Sequence, residues 1–369
     1  MVRKALGIAA ASLLCAALAS PAFAAQRAGV HAHVLWSNVD DAELTRQLDL
    51  AAAAGARVVR VDVGWSTLEP DRKGGYAAWY LAKMDTAVAE AEKRGLELLF
   101  TFWTTPCWAS SAPAELKQDC AGAWWERGVE RYAPTNASDY ADALAFVVRR
   151  YGDRVPNWEI WNEPNLQEFL TSSSPAADYA RIAKAGYPAA KAAGARTVVA
   201  GALADADFEF TESLYRDHGL KGAFDAYSIH PYSGDRSPLD PNEDQYMRHS
   251  FVRGVPAVRE VMLRYGDPKP LWLTEFGWST CDRRDGPSWD RCVDQQTQAT
   301  YLAQAYNQMR AWSYVSVGIW YGLKDTSSDS SSRVGNYGLV RSDNQVKPSY
   351  SVFPSASATS LLAGTPQAP

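Results

Sequence analysis

Short apolar runs alternate along this chain with stretches in which apolar residues recur every three or four positions. The runs fall at 29–33 (Gly-Val-His-Ala-His), 58–62 (Val-Val-Arg-Val-Asp), 98–102 (Leu-Leu-Phe-Thr-Phe), 158–161 (Trp-Glu-Ile-Trp), 197–200 (Thr-Val-Val-Ala), 226–229 (Ala-Tyr-Ser-Ile), 271–274 (Leu-Trp-Leu-Thr) and 317–320 (Val-Gly-Ile-Trp). Short runs of this composition predict strands. Between them, Leu44/Leu48/Ala51, Leu81/Met84/Val88, Tyr140/Leu144/Val148 and Leu302/Tyr306/Met309 keep helical spacing, as does the segment from Tyr179 to Ala193. Eight such units predict an α/β chain closed into a parallel (β/α)8 TIM barrel. A doubly wound open sheet also alternates, but eight evenly spaced units and the lack of a Gly-rich phosphate loop argue against it.

The two ends depart from this pattern. Arg3 and Lys4 precede an apolar run from Leu6 to Leu18, and Ala22-Phe23-Ala24 offers a small-x-small cleavage site. Residues 1–24 therefore read as a secretory signal peptide, its apolar run too short to span a bilayer. Lipid attachment at Cys15 is disfavoured by its mid-run position behind the bulky Leu14. The barrel domain is expected over 25–354. Residues 355–369 lose all periodicity and read as a frayed tail. No later segment suits a membrane helix, so the mature chain is expected to be secreted and free of the membrane.

Export fits the cysteines. Beyond Cys15 there are Cys107, Cys120, Cys281 and Cys292, and four cysteines allow three pairings. The two short-range pairs, Cys107–Cys120 and Cys281–Cys292, would each close a loop beside a strand end. Zinc is the rival use, but no Cys-x-x-Cys pair is present, which favours disulfide staples. A net charge of −5 without a Lys/Arg cluster argues against a nucleic-acid partner. The 14 Trp and 18 Tyr suggest surfaces for stacking on sugar rings.

Catalytic groups of a parallel barrel sit at the C-terminal ends of its strands. Glu163 follows the fourth strand in Trp158-Glu159-Ile160-Trp161-Asn162-Glu163-Pro164-Asn165. Glu275 ends the seventh in Leu271-Trp272-Leu273-Thr274-Glu275-Phe276-Gly277-Trp278. Barrel closure can bring both to one mouth, and two facing carboxyl groups are what glycosidic cleavage needs: one protonated to help the leaving oxygen depart, one ionised to attack. A lone glutamate is usually a solvated surface charge, yet a surface glutamate is rarely enclosed by Trp, Asn and Pro, or by Thr, Phe, Gly and Trp.

These two segments resemble the clan A glycoside hydrolases, which are retaining (β/α)8 enzymes. The wording is closest to family 39 and its relatives, with family 5 cellulase-like enzymes next, and through strand order the resemblance extends over nearly the whole mature chain. It implies that Glu163 is the acid/base and Glu275 the nucleophile, the acid being kept protonated by the negative charge of its neighbour. It implies further that Arg60 ends the second strand beside the nucleophile and favours its ionised form. Asn162 would bond the sugar 2-hydroxyl, His230 and Tyr232 would stand near the nucleophile, and Trp320 would form an aromatic floor. No metal and no cofactor are implied.

Other readings start from other residues. His31-Ala32-His33 resembles the strand-one pair of metal-dependent amidohydrolases, but the fifth run offers no histidine and the end of the fourth no lysine. One of the two histidines, His33 by preference, is then expected to face the sugar while the other packs against a helix. A non-catalytic sugar-binding barrel would usually have lost one glutamate. Trp65, Trp103, Trp108, Trp124, Trp125 and Trp278 follow strands two, three and seven; Trp103 and Trp278 above all suggest a cleft gripping a polysaccharide internally. The expectation is a monomer with endo-action on an extracellular polysaccharide, and exo-acting xylosidase or arabinofuranosidase activity is the alternative. The Ser/Asp-rich stretch from Asp325 to Arg333 is expected to be a mobile rim loop.

Overall fold

The computed structural model describes residues 26–241, 243 and 247–357. The signal-peptide segment, Cys15 and residues 358–369 lie outside them. Among the described residues strands and helices alternate: β1 Arg27–His31, α1 Asp41–Ala53, β2 Val58–Gly64, α2 Trp65–Leu68, α3 Ala78–Lys93, β3 Glu97–Trp103, α4 Ala137–Tyr151, β4 Asn157–Ile160, α5 Pro175–Ala193, β5 Thr197–Ala204, α6 Phe208–Arg216, β6 Ala226–His230, α7 Phe251–Arg264, β7 Leu271–Phe276, α8 Gln295–Ala311, β8 Val315–Trp320 and α9 Pro348–Ser357. Every neighbouring pair is parallel, and β1 pairs with both β2 and β8, so the barrel closes in sequence order.

Side chains alternate between the two faces of a strand, and this sorts the barrel into layers. Val59, Val61 and Val63 of β2 join the core shared with the helices, where the stripe Leu44, Leu48 and Ala51 of α1 is buried. Each such leucine contributes about 1.5–3 kcal/mol by leaving water. Val58 instead joins Leu99, Val199, Ala226, Trp272, Val317 and Ile319 in a separate buried cluster, the floor of the barrel interior. Arg60 and Asp62 share the face of Val58, Thr101 that of Leu99, and Glu159 that of Asn157. A polar layer therefore stands on an apolar floor, and the mouth opens above it.

The structure corrects several boundaries. β1 ends at His31, so His33 lies in the turn beyond it. β2 continues to Gly64, which places Arg60 mid-strand rather than at the strand end. Residues 355–357, expected in the tail, belong to α9, which runs to Ser357 with Phe353 and Ala356 packed on the core. The Ser/Asp-rich stretch after β8 is anchored at its start, not loose. Asp325 is buried, accepting from Lys347 Nζ at 2.8 Å and from the Gly338 N–H at 2.7 Å.

Both short-range disulfides are present, Cys107–Cys120 after β3 and Cys281–Cys292 after β7. Among the described residues no helix is long and apolar enough to cross a membrane.

Candidate active site

Arg60 organises the polar layer. Its guanidinium is fully buried and makes three charge-assisted contacts: Nε to Glu159 Oε2 at 2.7 Å, Nη1 to Glu275 Oε1 at 2.5 Å and Nη2 to Asn162 Oδ1 at 2.8 Å. Glu159 is equally buried and also accepts from Thr101 Oγ1 and Ser228 Oγ, each at 2.8 Å. Burial works against both charges. The neighbouring carboxylates nevertheless hold Arg60 above the usual guanidinium range, and Arg60 and His230 hold Glu159 below the usual carboxylate range.

Glu275 emerges from β7 with both oxygens engaged. Oε1 takes the Arg60 contact, and Oε2 accepts from Tyr232 Oη at 2.8 Å. Burial pushes the Tyr232 hydroxyl well above its ordinary pKa, so it stays a neutral donor.

Glu163 is placed by an unusual backbone. Trp161 and Glu163 take φ of 68° and 41°, a left-handed conformation that costs a non-glycine residue roughly 1–3 kcal/mol. Neighbouring strands impose it: the Trp161 N–H donates to Phe102 O at 3.0 Å and the Glu163 N–H to Ala202 O at 2.9 Å. The Trp161 ring is buried, with Nε1 donating to Phe169 O at 3.1 Å. This turn brings Asn162 and Glu163 together at the barrel mouth.

The two carboxyl groups meet there. Glu163, His230 and Glu275 each present an atom within 4.8 Å of the others. His230 Nδ1 lies 2.9 Å from Glu163 Oε1 and 3.6 Å from Glu275 Oε2, and its Nε2 lies 3.2 Å from Thr274 Oγ1. Glu163 has its pKa pushed up to about 8, first by burial and then by the Asp205 carboxylate. Glu275, the expected cause, is not among its leading causes. Burial also lowers His230 to about 4, so that ring is neutral at pH 7. A protonated Glu163 can donate to His230 Nδ1 while Nε2–H donates to Thr274.

A cavity of about 670 Å³ opens over this pair. Asn162, Glu163, Tyr232, Glu275, His33 and Trp103 line it, while Arg60 and His230 sit just beneath and hold the carboxylates. Trp320 and Trp278 do not line it. Trp320 is fully buried, donating to Tyr337 O at 3.0 Å, and Trp278 is buried beside it, donating to Arg236 O at 2.7 Å. Their place at the cavity wall is taken by Tyr321 and Tyr337, whose rings stand 5.5 Å apart. His31, the last residue of β1, and His33, just beyond it, both line the cavity, so the expected split between one facing the site and one packed against a helix does not hold. His31 Nε2 lies 3.0 Å from Asp62 Oδ2, and its Nδ1 lies 3.9 Å from Glu275 Oε1. His33 stacks on Trp36 at 4.1 Å, and its pKa falls to about 3, first through burial and then through the neighbouring His31.

Several site residues escaped the sequence reading. Asp62 stands two positions after Arg60, and Glu159 two after Asn157; strand alternation puts both inside the barrel. That signal was available in the runs themselves. Tyr321 continues the inward face of Val317 and Ile319, so the same alternation turns it, and not Trp320, toward the barrel mouth. Tyr337 and Asp205 come from loops whose paths sequence periodicity does not describe.

Among the described residues, two clusters have metal-ligating atoms close enough to share an ion: His31, His33 and Asp62, and Glu163, His230 and Glu275. In the second, the contacts to Arg60, Tyr232 and Thr274 already occupy much of the donor set. In the first, Nδ1 of both histidines is buried without a hydrogen-bond partner. Such atoms suit the hydroxyls of a bound sugar as well as a cation.

A closed parallel barrel with paired carboxylates after β4 and β7 places the protein among the clan A glycoside hydrolases. Over residues 18–318 the sequence matches Cellulase (glycosyl hydrolase family 5), and the chain belongs to that family. Family 5 stood second to family 39 in the sequence resemblance, and solved enzymes of both are similar in structure. A family 39 glycoside hydrolase from Bacteroides cellulosilyticus WH2 is 24% identical at TM-score 0.71, covering 91% of this chain and 64% of its own. GH5_18 from Streptomyces cattleya, solved in complex with GlcNAc, is 18% identical at TM-score 0.64, covering 90% and 80%. A monomeric β-xylosidase from Caulobacter crescentus CB15 is 18% identical at TM-score 0.58, covering 90% and 69%. The chain thus spans just under two thirds of the Bacteroides enzyme. Among curated proteins none matches the sequence.

Proposed function

We propose that the protein is a secreted retaining glycosidase in which Glu275 is the nucleophile and Glu163 the acid/base, acting within the chain of an extracellular polysaccharide. The approach of Glu163 and Glu275, with atoms within 4.8 Å and His230 between them, carries this reading. Retaining pairs stand roughly 5–5.5 Å apart, whereas inverting pairs leave about 6.5–9.5 Å for a water.

The chemistry follows from the contacts. A Glu275 oxygen attacks the anomeric carbon while Glu163 gives its proton to the departing glycosidic oxygen, leaving a glycosyl ester on Glu275. Glu163, now a carboxylate, takes a proton from the water that hydrolyses the ester. Arg60 and Tyr232 hold the nucleophile in place through both steps. Asn162 faces the sugar 2-hydroxyl, and the unpartnered Nδ1 atoms of His31 and His33 face other hydroxyls of the same ring. The leader-like N-terminus and the two disulfides support secretion.

The decisive experiment incubates wild type, Glu163→Ala and Glu275→Ala with a panel of aryl glycosides and 2-deoxy-2-fluoro glycosides. A mass adduct on wild type that Glu275→Ala cannot form, with Glu163→Ala turnover rescued by azide, is expected. Turnover unaffected by either substitution overturns both assignments. Exo-action is the second reading, since the Caulobacter enzyme is a β-xylosidase and a mannosidase of similar fold from an Opitutaceae bacterium is exo-acting. Early products from a long glycan separate the two, because release of monosaccharide alone overturns endo-action.

A further inference from the structure

His31 and His33 hold more donor capacity than the catalytic chemistry uses. Extended backbone sends residues two apart to one face, and the chain stays paired just past β1, where the Ala32 N–H donates to Arg60 O at 3.0 Å. Both rings therefore enter the cavity, their centroids 4.6 Å apart. Each is held without use of Nδ1. His31 Nε2 lies 3.0 Å from Asp62 Oδ2, His33 stacks on Trp36 at 4.1 Å, and the Leu323 N–H fixes the His31 carbonyl at 2.7 Å. The two residues are 1% and 9% exposed, and Nδ1 of each is buried with no hydrogen-bond partner among the described residues.

Asp62 decides the state of the His31 ring. A carboxylate only accepts, so Nε2 carries the ring proton and Nδ1 presents a bare lone pair. This pairing of carboxylate and imidazole is the one that orients histidines toward metal ions. His31, His33 and Asp62 each offer a ligand atom, all within 4.8 Å of one another. Two bonds of about 2.1 Å to a common ion span up to about 4.2 Å, so small side-chain rotations close the set. Charge agrees, because Asp62, Glu159 and Glu275 all lie within 4.0 Å of Arg60. Three carboxylates around one guanidinium leave a surplus of negative charge for a dication. Imidazole nitrogen selects zinc, copper or nickel over magnesium and calcium, which take oxygen ligands.

We propose that His31, His33 and Asp62 form a binding site for a divalent transition-metal ion such as Zn2+, and that the ion inhibits by occupying the place of the bound sugar. His31 Nδ1 stands 3.9 Å from Glu275 Oε1, so an ion on that nitrogen lies against the proposed nucleophile. It also takes the two Nδ1 atoms that would otherwise face sugar hydroxyls. Binding of the ion needs no assumption about catalysis, whereas inhibition rests on the glycosidase reading above.

The test titrates zinc chloride calorimetrically into the full, untagged chain, with magnesium chloride as control. One equivalent of Zn2+ should bind, and Mg2+ should not. His33→Ala removes a ligand from the turn beyond β1, and Asp62→Asn keeps the shape while removing the charge. Each should weaken Zn2+ binding about 10- to 100-fold. Circular dichroism establishes that each variant is folded, and His33→Gln replaces His33→Ala if the smaller side chain unfolds the turn. No binding of Zn2+, or binding indifferent to both substitutions, overturns the site. On an aryl glycoside Zn2+ should raise apparent KM in proportion to its concentration, leave kcat unchanged and be reversed by EDTA. A fall in kcat at constant KM overturns inhibition through this site. Failure of the glycosidase reading shows separately, as turnover that survives Glu275→Ala in the absence of metal.

Discussion

Arg60 Nη2 donates to Asn162 Oδ1 at 2.8 Å, and this contact decides which end of the amide faces the cavity. A guanidinium only donates, so the oxygen must turn toward Arg60 and the Nδ2 group toward bound sugar. The same guanidinium reaches Glu275, so one buried cation orients both Asn162 and the proposed nucleophile.

Asn162→Ala should therefore lose a contact that matters only when a 2-hydroxyl is present. A hydrogen bond in a water-poor site is worth about 1–2 kcal/mol, or roughly five- to thirtyfold. We expect kcat/KM to fall by that factor on an ordinary aryl glycoside and to change little on its 2-deoxy counterpart. Equal losses on both substrates would assign Asn162 to structure alone.

The raised pKa of Glu163 sets an alkaline limit. The group must carry a proton to act as the acid, and it holds that proton up to about pH 8. The free-enzyme profile, kcat/KM against pH, should be level near neutrality and fall tenfold per unit above about pH 8. A descending limb near pH 4–5 instead would mean that the acid is another group.

The same shift has a consequence for stability. Unfolding returns Glu163 from about 8 to its ordinary value of 4.5, so between these pH values the unfolded chain releases a proton that the folded chain keeps. The group's contribution to stability accordingly falls as pH rises from 4.5 to 8 and levels off beyond. Glu163→Gln removes the effect. Its melting temperature should match wild type near pH 4 and exceed it by a few degrees at pH 8. A constant difference across that range would show that burial does not govern this carboxyl.

Much of this site was legible before the fold was known, and the failures have physical causes. Glu163, Asn162 and Glu275 stand in runs whose composition no surface strand explains, and the barrel brings them together. Asp62 and Glu159 were equally accessible through the two-residue alternation of β2 and β4, which assigns an inward face once Val58 and Asn157 are placed. Trp320 shows the limit of carrying a role across by position. Its ring turns into the packing between β8 and Phe276, and the adjacent Tyr321 reaches the cavity. Asp205, second in raising the Glu163 pKa, sits in a left-handed turn after β5 at φ 59°. Its approach depends on loop geometry rather than on any repeat in the sequence.

Glu159 offers the strictest test of how the site is held. Its buried carboxylate accepts from Arg60 Nε and also from Thr101 and Ser228. Glu159→Ala strands the guanidinium beside an empty space and leaves two hydroxyls without their acceptor. Breaking a buried pair in this way costs about 3–5 kcal/mol, read as a lower urea midpoint at unchanged slope. Glu159→Gln keeps the shape and the oxygen that accepts from Arg60 Nε and Thr101, and the Ser228 hydroxyl can rotate to accept from its amide, so the stability loss should be less than half as large. Catalysis should suffer in both variants, because Arg60 then leans on Glu275 as its one remaining carboxylate partner at hydrogen-bond distance. Were Glu159→Ala as stable as wild type, the polar layer would not be what fixes Arg60. The orientation of Asn162 and Glu275 would then have to come from their own strand ends.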